Sequence, residues 1–188
     1  MDKHIIFHVE GGIGKNIMAT AVAEAISKAH PDRKLIVVSS WAAAWVNNPH
    51  IERFYLIGGT PYFFEDYIKG KDTWIFKSEP YHHHDFLNGK RYLADIWCEQ
   101  LGVPYNDEMP TLVLSKNEKD NMARKLRGFG KPIFALQTNG GGPQDYPVSW
   151  VRDVPLSNIS EVIEEVNKEY KIIHIRREDQ LEIKGIDF

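Results

Sequence analysis

Cysteine is almost absent from this chain, since Cys98 is the only one among its 188 residues. A single cysteine cannot form a disulfide within the chain, and disulfides support many small secreted domains, so a reducing compartment is expected. No apolar run approaches the roughly eighteen consecutive residues that a membrane span requires. The first residues, Met1–His4, lead directly into a strand-like run without the apolar region of a signal peptide. These absences predict a cytoplasmic protein without a membrane span.

The chain also lacks a strongly basic region. It carries 23 Lys and Arg against 26 Asp and Glu, a formal net charge of −3. Nucleic-acid-binding surfaces need clustered positive charge, because contacts to the phosphate backbone dominate their affinity. We therefore expect no nucleic-acid partner. Hydrophobic residues make up 43% of the chain, an ordinary fraction for a folded core, which excludes a largely disordered protein.

The most distinctive segment that is present is a glycine-rich loop at His8–Asn16. It follows the apolar run Ile5–Phe7 and precedes a helical pattern. Gly11, Gly12 and Gly14 would let the chain turn sharply and let a ligand approach the bare backbone. The unpaired N–H groups at the start of a helix suit an anion. An ordinary strand-to-helix turn needs only one or two such glycines, so ligand contact is the prediction and a plain turn is the alternative.

Strand and helix patterns alternate through the first half of the chain. Apolar positions from Ile17 to Ala29 recur at helical spacing, and Leu35–Val38 is a continuous apolar run typical of a strand buried on both faces. Strand, helix and strand form a βαβ unit, which implies a parallel sheet. The further elements predicted here are a short helix at Trp41–Val46, strands at Arg53–Ile57 and Thr73–Phe76, and a helix from Leu93 to Leu101 that Gly102 ends.

The same succession begins again in the second half. This second strand–loop–helix succession is preceded by a strand at Leu112–Leu114, a polar helix at Glu118–Leu126 and a linker at Arg127–Pro132. The repeat then begins with a strand at Ile133–Leu136 and a second glycine loop at Gln137–Gly142. It continues with a helix from Ile159 to Val166, capped by Ser157 or Asn158, and a strand at Ile172–Ile175. We expect an α/β fold, with a Rossmann-like parallel-sheet domain at 1–130 and part of a second Rossmann-like domain at 131–188. Two strands are too few for an independent sheet.

One interpretation of the first loop is a nucleotide-hydrolysing P-loop. Gly11–Lys15 resembles the Gly-Gly-x-Gly-Lys loop of the ParA-like ATPases, and Lys15 would bind the phosphates. A P-loop needs a hydroxyl directly after its lysine to hold magnesium, and Asn16 stands there. A P-loop-like nucleotide-binding protein therefore stays an alternative, as does a non-catalytic sugar- or nucleotide-binding module.

A second resemblance extends over nearly the whole chain. The first loop is followed, in this order, by Ala19–Val22, Ala29–Val38, Asn48–Arg53, Leu101–Pro104, Met109–Leu112, Lys131–Leu136 and Ser149–Pro155. These segments resemble those of the family 9 glycosyltransferases, the heptosyltransferase-like group. The resemblance implies a GT-B fold, in which two Rossmann-like domains face each other across a cleft. It also implies transfer of a sugar, with inversion, from a nucleotide-sugar donor to a glycan or glycolipid acceptor, without a cofactor or metal.

The resemblance further implies where substrates bind. The implied contacts in the two loops and after the second loop are Gly11, Gly12, Gly14, Lys15, Asn16, Thr138, Asn139, Gly140 and Arg152, the last as a positive group for the leaving diphosphate. The heptosyltransferases carry an aspartate, taken as the catalytic base, just after the last glycine of the first loop, where this chain has Lys15. An ammonium group accepts no proton unless its pKa is strongly depressed. The catalytic base therefore stays unassigned, with Glu10 as a candidate.

Three other clusters have a simpler explanation. The run His82–Asp85 is expected to be a polar loop, because adjacent residues rarely converge on one metal ion. Trp41 and Trp45 are expected to lie on the core face of a helix rather than to form a sugar-stacking surface. Tyr62–Phe64 and Tyr67 are expected to pack a helix against the sheet.

The end of the chain lies before the strands that hold most of the donor nucleotide in this family. We therefore expect a truncated form that is inactive or very weak as a transferase and binds nucleotide sugars no tighter than millimolar. The open edge of half a parallel sheet also predicts self-association into a homo-oligomer.

Overall fold

The computed structural model describes residues 2–140, 153–178, 180, 182, 183 and 186. The chain divides into two compact units, Met1–Lys116 and Asn117–Phe188. The boundary between these units lies after Lys116, and the domains expected at 1–130 and 131–188 stay a prediction.

The first unit contains a four-stranded parallel sheet, which confirms the predicted α/β architecture. Its strands are β1 (Lys3–Val9), β2 (Lys34–Ser39), β3 (Arg53–Leu56) and β4 (Asp72–Phe76), in the order β3-β2-β1-β4. Every pairing is parallel, with Ile6 opposite Ile36 on one side and Ile75 on the other. The helices are α1 (Ile13–Ala29), α2 (Phe63–Tyr67), α3 (His84–Leu87) and α4 (Leu93–Leu101).

The central strands β1 and β2 are buried on both faces, as their continuous apolar runs predict. On one face Ile5, Phe7 and Val37 join a core with the alanine-rich helix α1 and with α4. On the other face Ile6 and Ile36 pack with side chains around Tyr67. The small side chains of α1 allow this helix to lie close to the sheet. The loop between β1 and α1 follows the last residue of β1, so it lies at the carboxyl edge of the sheet.

The ends of the helices follow local sequence signals. Helix α4 ends at Gly102, whose φ of +68° is the left-handed conformation that glycine adopts at low cost. Helix α1 begins after Gly12 and has no side-chain cap. None of the described helices is long and apolar enough to cross a membrane.

The second unit has a two-stranded parallel sheet among its described residues. Strand β5 (Ile133–Leu136) pairs with β6 (Lys171–His174). Helix α5 (Lys116–Leu126) precedes them and α6 (Leu156–Val166) lies between them in the chain. Ile159 and Ile163 of α6 pack against Ile172 of β6. The cap of α6 differs from the prediction: Pro155 precedes the helix, so Ser157 and Asn158 lie within its first turn.

The strand predicted at Leu112–Leu114 is wrong. None of the described strands pairs with this segment, and Leu112 and Leu114 are about half exposed. Instead the backbone N–H of Thr111 donates to the Thr20 hydroxyl of α1 at 2.8 Å. The expectation that the run Tyr62–Phe64 and Tyr67 packs a helix against the sheet is confirmed for Phe63 and Tyr67, which pack with Ile6 and Ile36, whereas Tyr62 and Phe64 are exposed.

The helix predicted at Trp41–Val46 is reduced to a single 3₁₀ turn at Ala42–Ala44. Trp45 is buried in the core at 1% exposure, while Trp41 is 45% exposed. The prediction that both tryptophans lie on one core face is therefore wrong for Trp41.

Candidate functional site

The order of the strands marks one place in the first unit where a ligand is expected. The chain runs from β1 to β2 and β3 on one side, and β4 then joins β1 on the other side. Ligands of open α/β sheets bind beyond the carboxyl ends of the strands at such a switch point. A cavity of about 320 Å³ lies there, lined by His8, Glu10, Lys15, Lys77, Ser78 and Glu79. We call it the switch-point cavity.

The glycines of the first loop differ in what surrounds them. Gly11 has a φ of +103°, and a Cβ atom there would lie 3.2 Å from Cδ of Lys15. Around Gly12 and Gly14 nothing lies within 4 Å of the place where a Cβ would be. The backbone therefore requires the first glycine, whereas the other two border open space, and their contact with a ligand stays a prediction.

This difference predicts opposite effects of substitution. Gly11→Ala is expected to lower the free energy of unfolding by about 1 to 2 kcal/mol, because a Cβ is strained in the left-handed region. Gly14→Ala is expected to cost nothing, since alanine favours the helix, and Gly14→Val is expected to keep a cooperative transition while it blocks the loop for a ligand. Urea unfolding of the three variants measures this, and a Gly14→Val protein that fails to fold would make Gly14 a packing residue.

Asn16 supports the loop from inside. It is fully buried, and its Nδ2 donates to the Gly12 carbonyl oxygen at 3.0 Å. Its Oδ1 accepts from the Ser39 hydroxyl at 2.5 Å and from Trp45 Nε1 at 3.3 Å. The side chain was expected to contact substrate, but all its polar atoms are used within the protein. Its role in this arrangement is to position the loop over the end of β2.

Lys15 points away from solvent and is already paired. Its Nζ lies 2.5 Å from Oε2 of Glu79, and the side chain is 9% exposed. The same Nζ lies 5.4 Å from the ring centroid of Trp97 and 5.6 Å from that of Tyr81. Aromatic faces attract a cation, so the ammonium is balanced by one carboxylate and two rings. A phosphate would have to compete with Glu79 for it.

The Lys15–Glu79 pair predicts an asymmetry between its two truncations. Glu79→Ala leaves a buried ammonium without its partner and is expected to lower the free energy of unfolding by about 2 kcal/mol. Lys15→Met leaves Glu79, which is 46% exposed and keeps its hydration, so a change within about 1 kcal/mol is expected. The double variant is expected to recover most of the loss. Equal losses in both single variants would contradict the assignment of Lys15 as the buried partner.

The same pair has a pH signature. Partial burial raises the pKa of Glu79, but the hydrogen bond and the charge of Lys15 outweigh it and hold the pKa below its ordinary value of 4.5. The pairing therefore stabilises the fold above pH 4.5, and this stabilisation is lost as the pH falls through the lowered pKa. The stability difference between wild type and Glu79→Ala should be constant near neutral pH and shrink in acid.

A second carboxylate–lysine pair, Glu10 and Lys77, also lines the cavity. Oε1 of Glu10 lies 2.9 Å from Nζ of Lys77 and 3.6 Å from Nε2 of His8. The hydrogen bond from Lys77 lowers the pKa of Glu10. Desolvation lowers the pKa of His8, and the charge of Lys77 adds to this effect. Near neutral pH the cavity thus presents two ionised carboxylates, each beside a lysine, with a neutral imidazole next to one of them.

Such a cavity can bind hydroxyl groups and can accept a proton from one. The buried hydroxyl oxygen of Ser78 has no hydrogen-bond partner among the described residues.

The sequence pointed to Glu10 and Lys15 as site residues but did not point to Lys77, Ser78 and Glu79. The signal was available, because these three residues directly follow the predicted strand β4, and the carboxyl ends of parallel strands meet at one edge of a sheet.

The second glycine loop is held by contacts of its own. The Thr138 hydroxyl lies 3.0 Å from Nε2 of His174 and from Oδ1 of Asn139. The backbone N–H of Gly140 donates to Oδ1 of Asp153 at 2.7 Å. Arg152 lies outside the described residues, as do the remaining glycines of this loop, Gly141 and Gly142. The predicted donor contacts of these residues stay predictions.

The histidine run does not form a metal site within the part of the chain that the structure describes. There, no group of three or more His, Cys, Asp or Glu side chains could hold an ion. His82 ends a 3₁₀ turn, and His83 caps helix α3 by accepting from the backbone N–H of Asp85 at 3.2 Å.

Comparison with known proteins identifies similar structures. No protein-family model and no curated protein matches the sequence. A family 9 glycosyltransferase from Veillonella parvula aligns over 93% of this chain with a TM-score of 0.66 and 17% identity. The ADP-heptose LPS heptosyltransferase II of E. coli aligns over 91% with a TM-score of 0.58 and 12% identity. The iron-containing dodecameric glycosyltransferase TibC from enterotoxigenic E. coli aligns over 100% with a TM-score of 0.62 and 15% identity.

These similarities confirm the predicted fold, that of GT-B glycosyltransferases of the heptosyltransferase-like group. The chain spans 63% of the length of the first two proteins and 48% of the third. At this level of identity the likeness is one of fold, and the chemistry has to be argued from the residues of the cavity.

Proposed function

We propose that this chain is part of a GT-B glycosyltransferase that transfers a sugar from a nucleotide-sugar donor to a glycan or glycolipid acceptor. The observation that carries the proposal is the switch-point cavity with its two carboxylate–lysine pairs. It lies in the first unit, which is the acceptor side of the resembling enzymes. The second glycine loop, with Thr138, Asn139 and Gly140, would serve the donor, together with Arg152 later in the sequence.

The chemistry needs a base for the acceptor hydroxyl. The hydroxyl oxygen attacks the anomeric carbon from the face opposite the nucleotide, the bond from that carbon to the phosphate oxygen breaks, and the nucleoside diphosphate leaves. The proton of the hydroxyl passes to a carboxylate of the cavity. The pKa of Glu10 and that of Glu79 are both lowered, so both groups are in the ionised form that can accept it.

We assign the base to Glu79 and keep Glu10 as the competing candidate. Lys15 occupies the position of the base in the resembling family, and Glu79 is the carboxylate bonded to Lys15. Glu79 is thus the carboxylate nearest to the place where the family needs one. Glu10 shares one oxygen between Lys77 and His8 and is 56% exposed, which leaves it less well fixed.

The P-loop alternative is less well supported. The Lys15 ammonium faces Glu79 and two rings instead of open space over the loop. Asn16, which stands where a P-loop has its magnesium-binding hydroxyl, is buried and bonded to Ser39.

A transfer assay tests the proposal. The chain is incubated with millimolar ADP-, GDP- or UDP-sugars and a panel of glycan and glycolipid acceptors, and products are followed by mass spectrometry and nucleoside diphosphate release. Transfer should be very slow, as expected for this chain, with one sugar residue gained by one acceptor for each diphosphate released, while calorimetry shows donor binding no tighter than millimolar. Magnesium-dependent ATP or GTP hydrolysis that disappears in Lys15→Ala would instead establish the P-loop alternative.

A further inference from the structure

Trp41 is a large aromatic residue that the fold leaves half exposed. Its side chain follows β2 at the carboxyl edge of the sheet, where the glycine loop also lies. Four residues later Trp45 is 1% exposed, whereas Trp41 is 45% exposed. A single exposed tryptophan is common on protein surfaces, so a ligand-binding role for Trp41 has to be argued from the contacts around it.

The indole ring of Trp41 is fixed at its tip and at its backbone. Its Nε1 donates to the carbonyl oxygen of Gly11 at 3.0 Å. Its backbone N–H donates to the hydroxyl oxygen of Ser39 at 3.0 Å, and that hydroxyl donates to the buried amide of Asn16. A ring held in this way loses little conformational freedom when a ligand covers it, which favours binding.

The glycine loop joins this ring to the switch-point cavity. Gly11 bonds to Trp41 through its carbonyl oxygen, and the side chain of Lys15 lies against the position of its absent Cβ. The preceding residue, Glu10, lines the cavity together with Glu79. The segment Glu10–Gly11 therefore borders both the aromatic ring of Trp41 and the carboxylates and ammonium groups of the switch-point cavity.

A pyranose ring presents a matching pair of surfaces. One face carries several C–H groups, which favour the electron-rich face of an indole, and its edge carries hydroxyls that bond to carboxylates and ammonium groups. A flat ring with polar edges fits this arrangement better than a purely apolar ligand, which would leave the charged wall unused.

We propose that the indole ring of Trp41 is the stacking surface for a pyranose ring of the acceptor, with the hydroxyls of that sugar directed to Glu10 and the switch-point cavity. This assignment rests on the proposed function, because it takes the first unit as the acceptor side. It makes Trp41 a residue that contacts substrate and gives the acceptor class as a carbohydrate with an accessible pyranose ring.

The test is direct sugar binding to the whole chain, without any transfer reaction. Methyl pyranosides of glucose, mannose, galactose and N-acetylglucosamine are titrated by saturation-transfer NMR. At least one should bind, with strongest saturation on the C–H protons of one ring face. Trp41→Ala and Trp41→Leu should weaken this binding about tenfold, as expected for loss of an aromatic stacking contact. Trp41→Phe keeps a ring but loses the bond to Gly11 and should weaken binding only about threefold.

Trp74 provides the matched control. It is a tryptophan of 41% exposure on β4. The centroid of its ring lies 3.6 Å from the guanidinium carbon of Arg33, and its ring contacts those of His30 and Phe76. Trp74→Phe should leave sugar binding unchanged. Absence of binding in the wild type, an equal loss in Trp41→Phe and Trp41→Leu, or an equal loss in Trp74→Phe would each overturn the stacking role.

The outcome is separable from that of the proposed function. Sugar binding that depends on Trp41, without transfer from any donor, would retain the stacking surface and overturn the transferase. Transfer with an unchanged acceptor KM in Trp41→Leu would retain the transferase and overturn the stacking surface.

Discussion

Replacing Trp97 with alanine is expected to lower the free energy of unfolding of the first unit by about 3 to 5 kcal/mol. Trp97 of α4 is fully buried and contacts Phe7 of β1 with ring centroids 5.5 Å apart. Its face also lies under the Lys15 ammonium at 5.4 Å. The substitution removes core volume and the aromatic face that helps to hold a buried cation, so the switch-point cavity should lose its shape together with the stability.

Trp97→Phe is the control for this prediction. The indole N–H of Trp97 is buried without a partner among the described residues, so phenylalanine gives up no hydrogen bond there. It keeps an aromatic face beneath Lys15 and should cost less than half as much as alanine. Urea unfolding followed by circular dichroism measures both variants. Similar losses for phenylalanine and alanine would contradict the prediction, because a smaller aromatic ring would then not substitute for the indole at this position.

Glu79→Gln is expected to lower the rate of sugar transfer by about 10²- to 10⁴-fold, the usual contribution of a general base. The amide keeps the shape of the side chain but cannot take the proton of the acceptor hydroxyl. The rate is measured as nucleoside diphosphate release with saturating acceptor and millimolar donor. Circular dichroism and urea unfolding of the same preparation separate a lost base from a lost fold.

Glu10→Gln is the matched variant across the cavity. It removes the charge of the other carboxylate beside a lysine and is expected to lower the rate by less than about tenfold, as for loss of a hydrogen bond to substrate. If Glu10→Gln has the larger effect, the base is Glu10, the residue that the sequence itself suggested. If neither variant changes the rate, the proton leaves by another route and the proposed mechanism is wrong.

Much of the fold could be predicted because its signals are local. The apolar runs of β1 and β2 mark strands that are buried on both faces, and Gly102 ends α4 in the left-handed conformation. The prediction of a strand failed where the strand would have needed a pairing strand from a distant part of the chain. Leu112–Leu114 has the composition of a strand, but a strand forms only when another strand accepts its hydrogen bonds.

The two tryptophans after β2 show how local geometry also limits such predictions. In an α-helix residues four apart lie about 40° from each other around the axis, which would place Trp41 and Trp45 on one face. The turn that forms covers only Ala42–Ala44, and Trp41 before it has extended backbone, with φ −137° and ψ 98°. The helical spacing therefore does not relate the two tryptophans, and Trp45 enters the core while Trp41 lies beside the glycine loop.

The sequence by itself determined the alternation of strands and helices, the glycine loop at the end of β1 and the resemblance to a transferase fold. Only the tertiary structure decided which charges meet in the site. Lys15 and Glu79 are 64 residues apart in the chain, and they meet because β4 pairs with β1 and brings its carboxyl end beside the first loop. Strand order depends on pairing between distant segments, and no local pattern of residues encodes that choice.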